Sequence, residues 1–155
     1  MNKYVSSVFH QIKIAVDSVI EIINQLPETD LNSKPIDDKR SYIELLSHIS
    51  LICKADLLIL NEASLIEMQE YYERNTLRTI EEIKKKLILN YNELVEEFSC
   101  FSEEELFEYK ESYWGVRYTR FEWLLEILSH LYHHRSQLHS YISIDFKEIK
   151  VQLFE

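Results

Sequence analysis

Four of the six histidines fall in one short stretch, ILSHLYHHRSQLHSYI at positions 127–142. An imidazole can ligate a metal, move a proton near neutral pH, or satisfy a hydrogen bond inside a core. Which of these is open to a given histidine depends first on the direction it faces. His130 and His134 stand four residues apart. On a helix they share a face and can present two ring nitrogens to one ion. The same spacing suits two hydrogen-bonded core residues.

Residues alternately three and four apart sort the stretch into stripes. Glu122, Glu126, Ser129, His133, Ser136 and Ser140 are all polar and mark the face turned to water, which removes His133 from the inward set. Trp123, Ile127, His130, His134, Gln137 and Tyr141 form a second stripe, apolar at its start. Phe121, Leu124, Leu128, Leu131, Arg135, Leu138 and Ile142 form a third, largely apolar. Two of the three faces are therefore expected to be buried, in a bundle or partly against a second subunit. His130 and His134 then project inward, one turn apart.

An earlier segment, RSYIELLSHISLICKADLL, repeats the pattern. Leu45, His48, Ile52, Ala55 and Ile59 form an apolar stripe with one histidine in it, while Ser47, Ser50, Lys54 and Asn61 mark the expected wet side. Glu44, one turn before His48, is expected near it. Taken alone, His48 reads as a hydrogen-bonded core histidine, and His10 and His139 read as surface or boundary residues. Three inward histidines on two helices permit a metal site, but periodicity alone does not bring them together.

These stripes need helices to carry them, and the helix starts are written locally. Ser or Thr followed three residues later by Glu can satisfy two orphan backbone donors. The pattern occurs as Ser41-Tyr-Ile-Glu44, Thr79-Ile-Glu-Glu82, Ser102-Glu-Glu-Glu105 and Thr119-Arg-Phe-Glu122, each beside or within a run of helix-period apolar residues. The spacing predicts a first helix over 5–26 stopped by Pro27, a polar loop ETDLNSKPIDDKR, and a second helix from Ser41 to about Leu60. A third covers about Leu77 to Phe98, a short one follows Ser102, and the last runs from Thr119 to about Ile142. NEASLIEMQEYYERN reads as helix end plus loop. FEYKESYWGVRY, which carries the only glycine, reads as extended or hairpin-like, and the tail IDFKEIKVQLFE as a strand or an ordered extension. Tyr113, Trp114 and Tyr118 read as aromatic core, with a pocket mouth as the alternative. One glycine and two prolines leave too few turn formers for a β-rich protein. The expected architecture is all-α: a four-helix bundle with long connections and a short extra helix. It is read as one domain over 1–155, with the bundle core at about 5–142 and a tail at 143–155.

A net charge of -10 and the lack of a dense basic run argue against nucleic-acid binding, which relies on Lys and Arg neutralising phosphates. The KKK at 84–86 sits among glutamates and reads as a solvated face. Cys53 and Cys100 are far apart and form no CxxC pair, which suits a reducing compartment; both read as small core hydrophobes. The N-terminal residues lack the apolar run of a signal peptide, and no stretch approaches a membrane span. The expected location is the cytoplasm, without membrane association.

SHLYHHRSQLHSYI resembles the C-terminal signature of the DinB/YfiT-like family, a His-x-x-x-His-Arg-Gly-Gln pattern near the end of a four-helix bundle. RSYIELLSHISLICKADLL resembles that family's second-helix motif, which contributes one more histidine. The resemblance extends from the first helix to about Ile142. It implies that His48, His130 and His134 ligate a divalent ion such as zinc or nickel, and that the chain forms a homodimer. Arg135 and Gln137 match the signature and are expected to orient helix contacts or the ligands, as is Glu44. Ser136 stands where the family has glycine, so helix packing or the dimer contact is expected to differ there.

Three histidines leave a coordination position open on a tetrahedral ion. Relatives include transferases and isomerases that use a low-molecular-weight thiol, so the resemblance favours metal-dependent thiol transfer to a small electrophile. Hydrolysis by metal-activated water, with Glu44 or Glu126 as base, is the alternative. A non-catalytic metal-binding or structural role is the third reading.

Overall fold

The computed structural model of the chain describes residues 2–146 and 148–154. Four long helices make the frame: α1 (Lys3–Gln25), α2 (Tyr42–Leu60), α4 (Ile80–Cys100) and α6 (Arg120–Asp145). Between them lie α3 (Leu65–Arg74), the single turn α5 (Glu103–Leu106), and a hairpin of β1 (Tyr109–Glu111) and β2 (Arg117–Thr119). Each capping box anticipated from the sequence is closed. The backbone N–H donates to the Glu carboxylate at 2.7 Å for Ser41, 3.1 Å for Thr79, 2.7 Å for Ser102 and 2.8 Å for Thr119. Helix α1 instead starts on Asn2, whose side-chain oxygen accepts the Tyr4 N–H at 2.8 Å, and it ends before Pro27, which lacks the donor needed to continue.

A fifth capping box starts α3, where the sequence reading expected a helix end and loop. The Ser64 N–H donates to Glu67 at 2.7 Å, and the helix buries only Met68. With one apolar anchor, its periodicity was too weak to mark it; the cap carries the start.

Helices α1 and α2 each pack against both α4 and α6, so the ring order is α1–α4–α2–α6. Helix α2 is therefore enclosed by α4, α6, α3 and the hairpin. This corrects the wet side expected for it. Ser50 is 0% exposed, its hydroxyl donating to the Ser47 carbonyl at 2.8 Å and its carbonyl accepting the Asn90 amide at 2.8 Å. Small hydroxyl residues can line a buried face by bonding back to their own helix.

The hairpin pairs Tyr109 with Thr119 and Glu111 with Arg117. Gly115 turns it at φ +88°, a conformation that L side chains rarely adopt. Tyr113, Trp114 and Tyr118 are not core as expected: they are 46%, 51% and 38% exposed. Trp114 and Tyr118 meet Trp123 edge-on, at 6.3 and 5.1 Å between ring centroids. The Trp123 indole N–H donates to the Lys110 carbonyl at 3.2 Å and pins the hairpin to α6. At the other end of α2, Glu62 adopts φ 65° and accepts from Lys110 and from the Glu111 N–H.

Cys53 is buried as anticipated, and desolvation pushes its thiol well above the ordinary range. Cys100, expected in the core, is exposed at the end of α4. The tail forms no strand among the described residues. It is held by the Gln25 amide on the Lys150 carbonyl at 3.0 Å and by Arg135 on the Leu153 carbonyl at 2.8 Å. No helix among the described residues is long and apolar enough to cross a membrane.

Candidate metal centre

Helices α2 and α6 run antiparallel, and three contacts link them in reverse order. Tyr42 donates to Asp145 at 2.9 Å, His48 meets His134 at 3.0 Å, and Asp56 meets His130 at 2.8 Å. The antiparallel pairing converts two separate sequence patterns into one cluster at the middle of the bundle. One ring nitrogen from each of His48, His130 and His134 lies within 4.8 Å of the others. Their ring centroids are 4.4 to 5.3 Å apart. His134 is buried, while His48 and His130 are half-buried. His133 is exposed, on the stripe whose other members, Glu122, Glu126, Ser129, Ser136 and Ser140, are exposed as well. His10 is exposed and His139 half-buried, both outside the cluster.

The outer nitrogens are individually held. Gln137 donates its amide to the Tyr141 hydroxyl at 2.9 Å, which turns its carbonyl oxygen toward His134 Nδ1 at 3.0 Å. His134 Nδ1 therefore carries the proton in this network, and its Nε2 lone pair faces His48. Asp56 Oδ2, 2.8 Å from His130 Nδ1, fixes that ring in the same way. Without an ion, the 3.0 Å contact between His48 Nε2 and His134 Nε2 needs one shared proton, which His48 supplies.

Proton affinity follows position. His48 is held down to about 3 by burial and by the neighbouring charges of His134, Arg40 and His130. Burial also lowers His134, partly opposed by the hydrogen bond that its Nδ1–H donates to the Gln137 carbonyl oxygen. Burial pulls His130 down too, but the Asp56 hydrogen bond and charge outweigh it and carry this imidazole above its ordinary value. Once ion binding displaces the proton between His48 and His134 and any added proton on His130, three inward ring nitrogens fit a divalent ion of the borderline type that imidazole prefers. Two nitrogens bound tetrahedrally to one zinc stand roughly 3.3 Å apart, given bonds of about 2.0–2.1 Å. The observed 3.0 Å pair needs little adjustment to reach that.

Asp56 was missed by the sequence reading, although a signal was present. It is the one carboxylate within the run LLSHISLICKADLLIL and is 7% exposed, and such a group is rarely buried without a partner. The expected neighbours fare differently. Gln137 reaches His134. Glu44 is exposed and committed to the Ser41 N–H at 2.7 Å, because its position at the first turn of α2 makes it a cap. Arg135 points away from the cluster, toward α1 and the tail. It is 3% exposed, lies between the rings of Tyr132 and Phe154 at 4.2 and 5.1 Å, and donates to Leu153. Ser136 lies on the exposed face of α6.

The chain is thus a four-helix bundle with a convergent three-histidine centre and an added hairpin. The DinB superfamily model matches residues 11–138, and the chain belongs to that superfamily. A solved structure assigned to the DinB family, from Exiguobacterium sibiricum 255-15, is 28% identical with a TM-score of 0.87, covering 99% of both chains. The mycothiol-dependent maleylpyruvate isomerase shares the fold at a TM-score of 0.66 and 9% identity. That match covers 89% of this chain and 63% of the isomerase. No curated protein matches the chain.

Proposed function

We propose that His48, His130 and His134 hold one divalent ion, zinc or nickel, through their Nε2 atoms, and that the centre transfers a low-molecular-weight thiol to a small electrophile. The observation that carries this is the hydrogen bonding of the outer nitrogens. Two of three convergent imidazoles have Nδ1 tied by Asp56 and Gln137, the arrangement that orients metal-ligating histidines. The hydrogen bond between His48 and His134 accounts for that pair alone, whereas a ring nitrogen of His130 also lies within 4.8 Å of both.

When bound, such an ion supplies the Lewis acidity that brings a thiol to its nucleophilic thiolate form near neutral pH. The chain's own part is to orient and to exclude water. Asp56 and Gln137 fix the ring tautomers, and Ile127 and Trp123 on the same stripe of α6 are buried. Cys53 is not the nucleophile, since it is fully buried and held protonated. The likeness to an enzyme that uses mycothiol supports a thiol cosubstrate, as does the open position that three ligands leave.

The test is metal content by mass spectrometry on untagged protein. We expect about one divalent ion per chain, as one three-histidine site holds, retained in His133→Ala and lost in His48→Ala, His130→Ala and His134→Ala. Metal-dependent consumption of a thiol in the presence of an electrophile then tests the reaction. A folded wild type that binds neither zinc nor nickel refutes the ligand assignment; a loaded protein that consumes no thiol refutes the transfer.

A further inference from the structure

The segment after α6 is held more like a bound peptide than like part of the bundle. Exposure alternates along it: Ile149, Val151 and Leu153 are half-buried, while Lys150, Gln152 and Phe154 are exposed. A period of two belongs to an extended chain with every second side chain turned down. Two side chains grip its backbone. The Gln25 amide, at the end of α1, donates to the Lys150 carbonyl at 3.0 Å, and Arg135 of α6 donates to the Leu153 carbonyl at 2.8 Å. Arg135 also reaches the Ser18 hydroxyl of α1 at 3.5 Å. Gln25 and Ser18 are separated by about 10.5 Å of helical rise, and Lys150 and Leu153 by about 10 Å of extended chain. The tail therefore lies stretched along α1, in the groove between α1 and α6.

The fit is loose. A cavity of about 200 Å³ separates part of the tail from α1, lined by Ile14, Asp17, Ser18, Glu21, Gln152 and Phe154. Another, of about 340 Å³, separates it from α6, lined by His139, Ser143, Ile149, Lys150 and Val151. Half-buried apolar contacts and two side-chain bonds allow local opening well below the stability of the bundle. Arg135 opposes that opening. It is 3% exposed, and its Nε has no hydrogen-bond partner among the described residues. Its charge rests on one carbonyl, one hydroxyl and the faces of Tyr132 and Phe154, at 4.2 and 5.1 Å. The carbonyl and one of the rings belong to the tail. Lifting the tail leaves a desolvated guanidinium that needs another carbonyl and another ring. Both gripping bonds recognise backbone, which any extended segment carries, and the alternate apolar positions set which segment fits.

We propose that the α1–α6 groove is a peptide-binding surface closed in cis by residues 149–154. The partner it takes in trans is an extended segment with apolar residues at alternate positions and an aromatic after the last. Gln25 and Arg135 hold its carbonyls as they hold those of Lys150 and Leu153. The tail is then an autoinhibitory strap, and a free segment enters only when it lifts. The inference does not depend on the metal centre.

The test uses the full chain with its tail weakened by Val151→Asp together with Leu153→Asp. Fluorescein-labelled peptide IKVQLF, the sequence of residues 149–154, is titrated and followed by anisotropy. Circular dichroism verifies that each variant is folded. We expect saturable binding to the double variant, tens of fold tighter than to wild type, whose own tail competes with the strength of about two net hydrogen bonds. In the double variant, Gln25→Ala should weaken binding several-fold and Arg135→Gln should abolish it. The peptide IKDQDF, which carries the same two substitutions, should not bind. Absence of binding to the folded double variant overturns the proposal, as does equal affinity for wild type. Gln25 is exposed, so Gln25→Ala keeps the test decisive if Arg135→Gln fails to fold. Unchanged affinity in Gln25→Ala places the peptide elsewhere and overturns the proposal too.

Discussion

Replacing Asp56 gives the sharpest test of how the centre is held. Its carboxylate is 10% exposed and accepts from His130 Nδ1 at 2.8 Å, a charge-assisted bond in a partly dry setting. Loss of such an outer partner typically weakens metal affinity by about 10- to 100-fold, or roughly 1.4–2.7 kcal/mol. Asp56→Asn keeps an acceptor at the same place and should fall near the tenfold end. Asp56→Ala leaves the Nδ1–H without its partner. The His130 side chain is 30% exposed, so water can replace part of the bond, and the cost should approach about a hundredfold. The assay is zinc competition against a chelator of known affinity at pH 7.5, with circular dichroism to verify the fold. The two variants should also differ from wild type in pH dependence. Asp56 raises the proton affinity of His130, so protons compete with the ion at a higher pH in wild type than in Asp56→Asn. Zinc affinity in Asp56→Asn should therefore be lower but flatter between pH 6 and 8. Wild-type affinity and pH slope in both variants would refute the claim that Asp56 orients a ligand.

Further outcomes follow from the same contacts. In metal-free protein, His48 and His134 have lowered folded values, so the unfolded chain binds more protons as pH falls below about 6.5. Their share of stability is present above that pH and is lost on acidification. His130 has the opposite sign: its contribution is full below about 6.5 and fades as pH rises through its raised value. Urea unfolding of His48→Gln and His130→Gln across pH 4–8 should therefore show opposite changes in slope; parallel profiles would contradict the assignment. Arg135→Ala should lower Tm by about 5–10 °C, the effect of roughly 2–3 kcal/mol in a chain of this size, while leaving metal stoichiometry unchanged. Calorimetry with metal analysis checks both, and metal loss would place Arg135 nearer the centre than its contacts with Leu153 and Ser18 do. Glu44→Gln should cost about 1 kcal/mol or less in stability and nothing in zinc affinity, because its carboxylate caps α2. A drop in affinity would return Glu44 to the metal centre.

Much of the frame was legible in the chain. Capping boxes at Ser41, Thr79, Ser102 and Thr119 depend on residues three apart, and apolar stripes depend on residues three and four apart, so both are local properties. They marked the long helices and sorted the faces of α6, separating exposed His133 from inward His130 and His134. They failed where burial is set by neighbours far along the chain. Ser50 looked wet because it is polar, yet α4 covers it; Tyr113 and Trp114 looked like core because they are aromatic, yet on the hairpin they stay 46% and 51% exposed. Helix α3 escaped notice because a helix with one buried anchor has almost no stripe.

For the centre, the sequence by itself determined which histidines face inward and on which helices. Only the tertiary structure decided that they meet. The antiparallel run of α2 against α6 sets His48 beside His134 and Asp56 beside His130. It also decided their partners, giving the role expected of Glu44 to Asp56 and leaving Glu44 to the helix cap. The physical reason is range. Periodicity and capping act within one helical turn. The protonation, orientation and charge of a site are set by groups packed across helices, 74 residues apart for the Asp56–His130 pair.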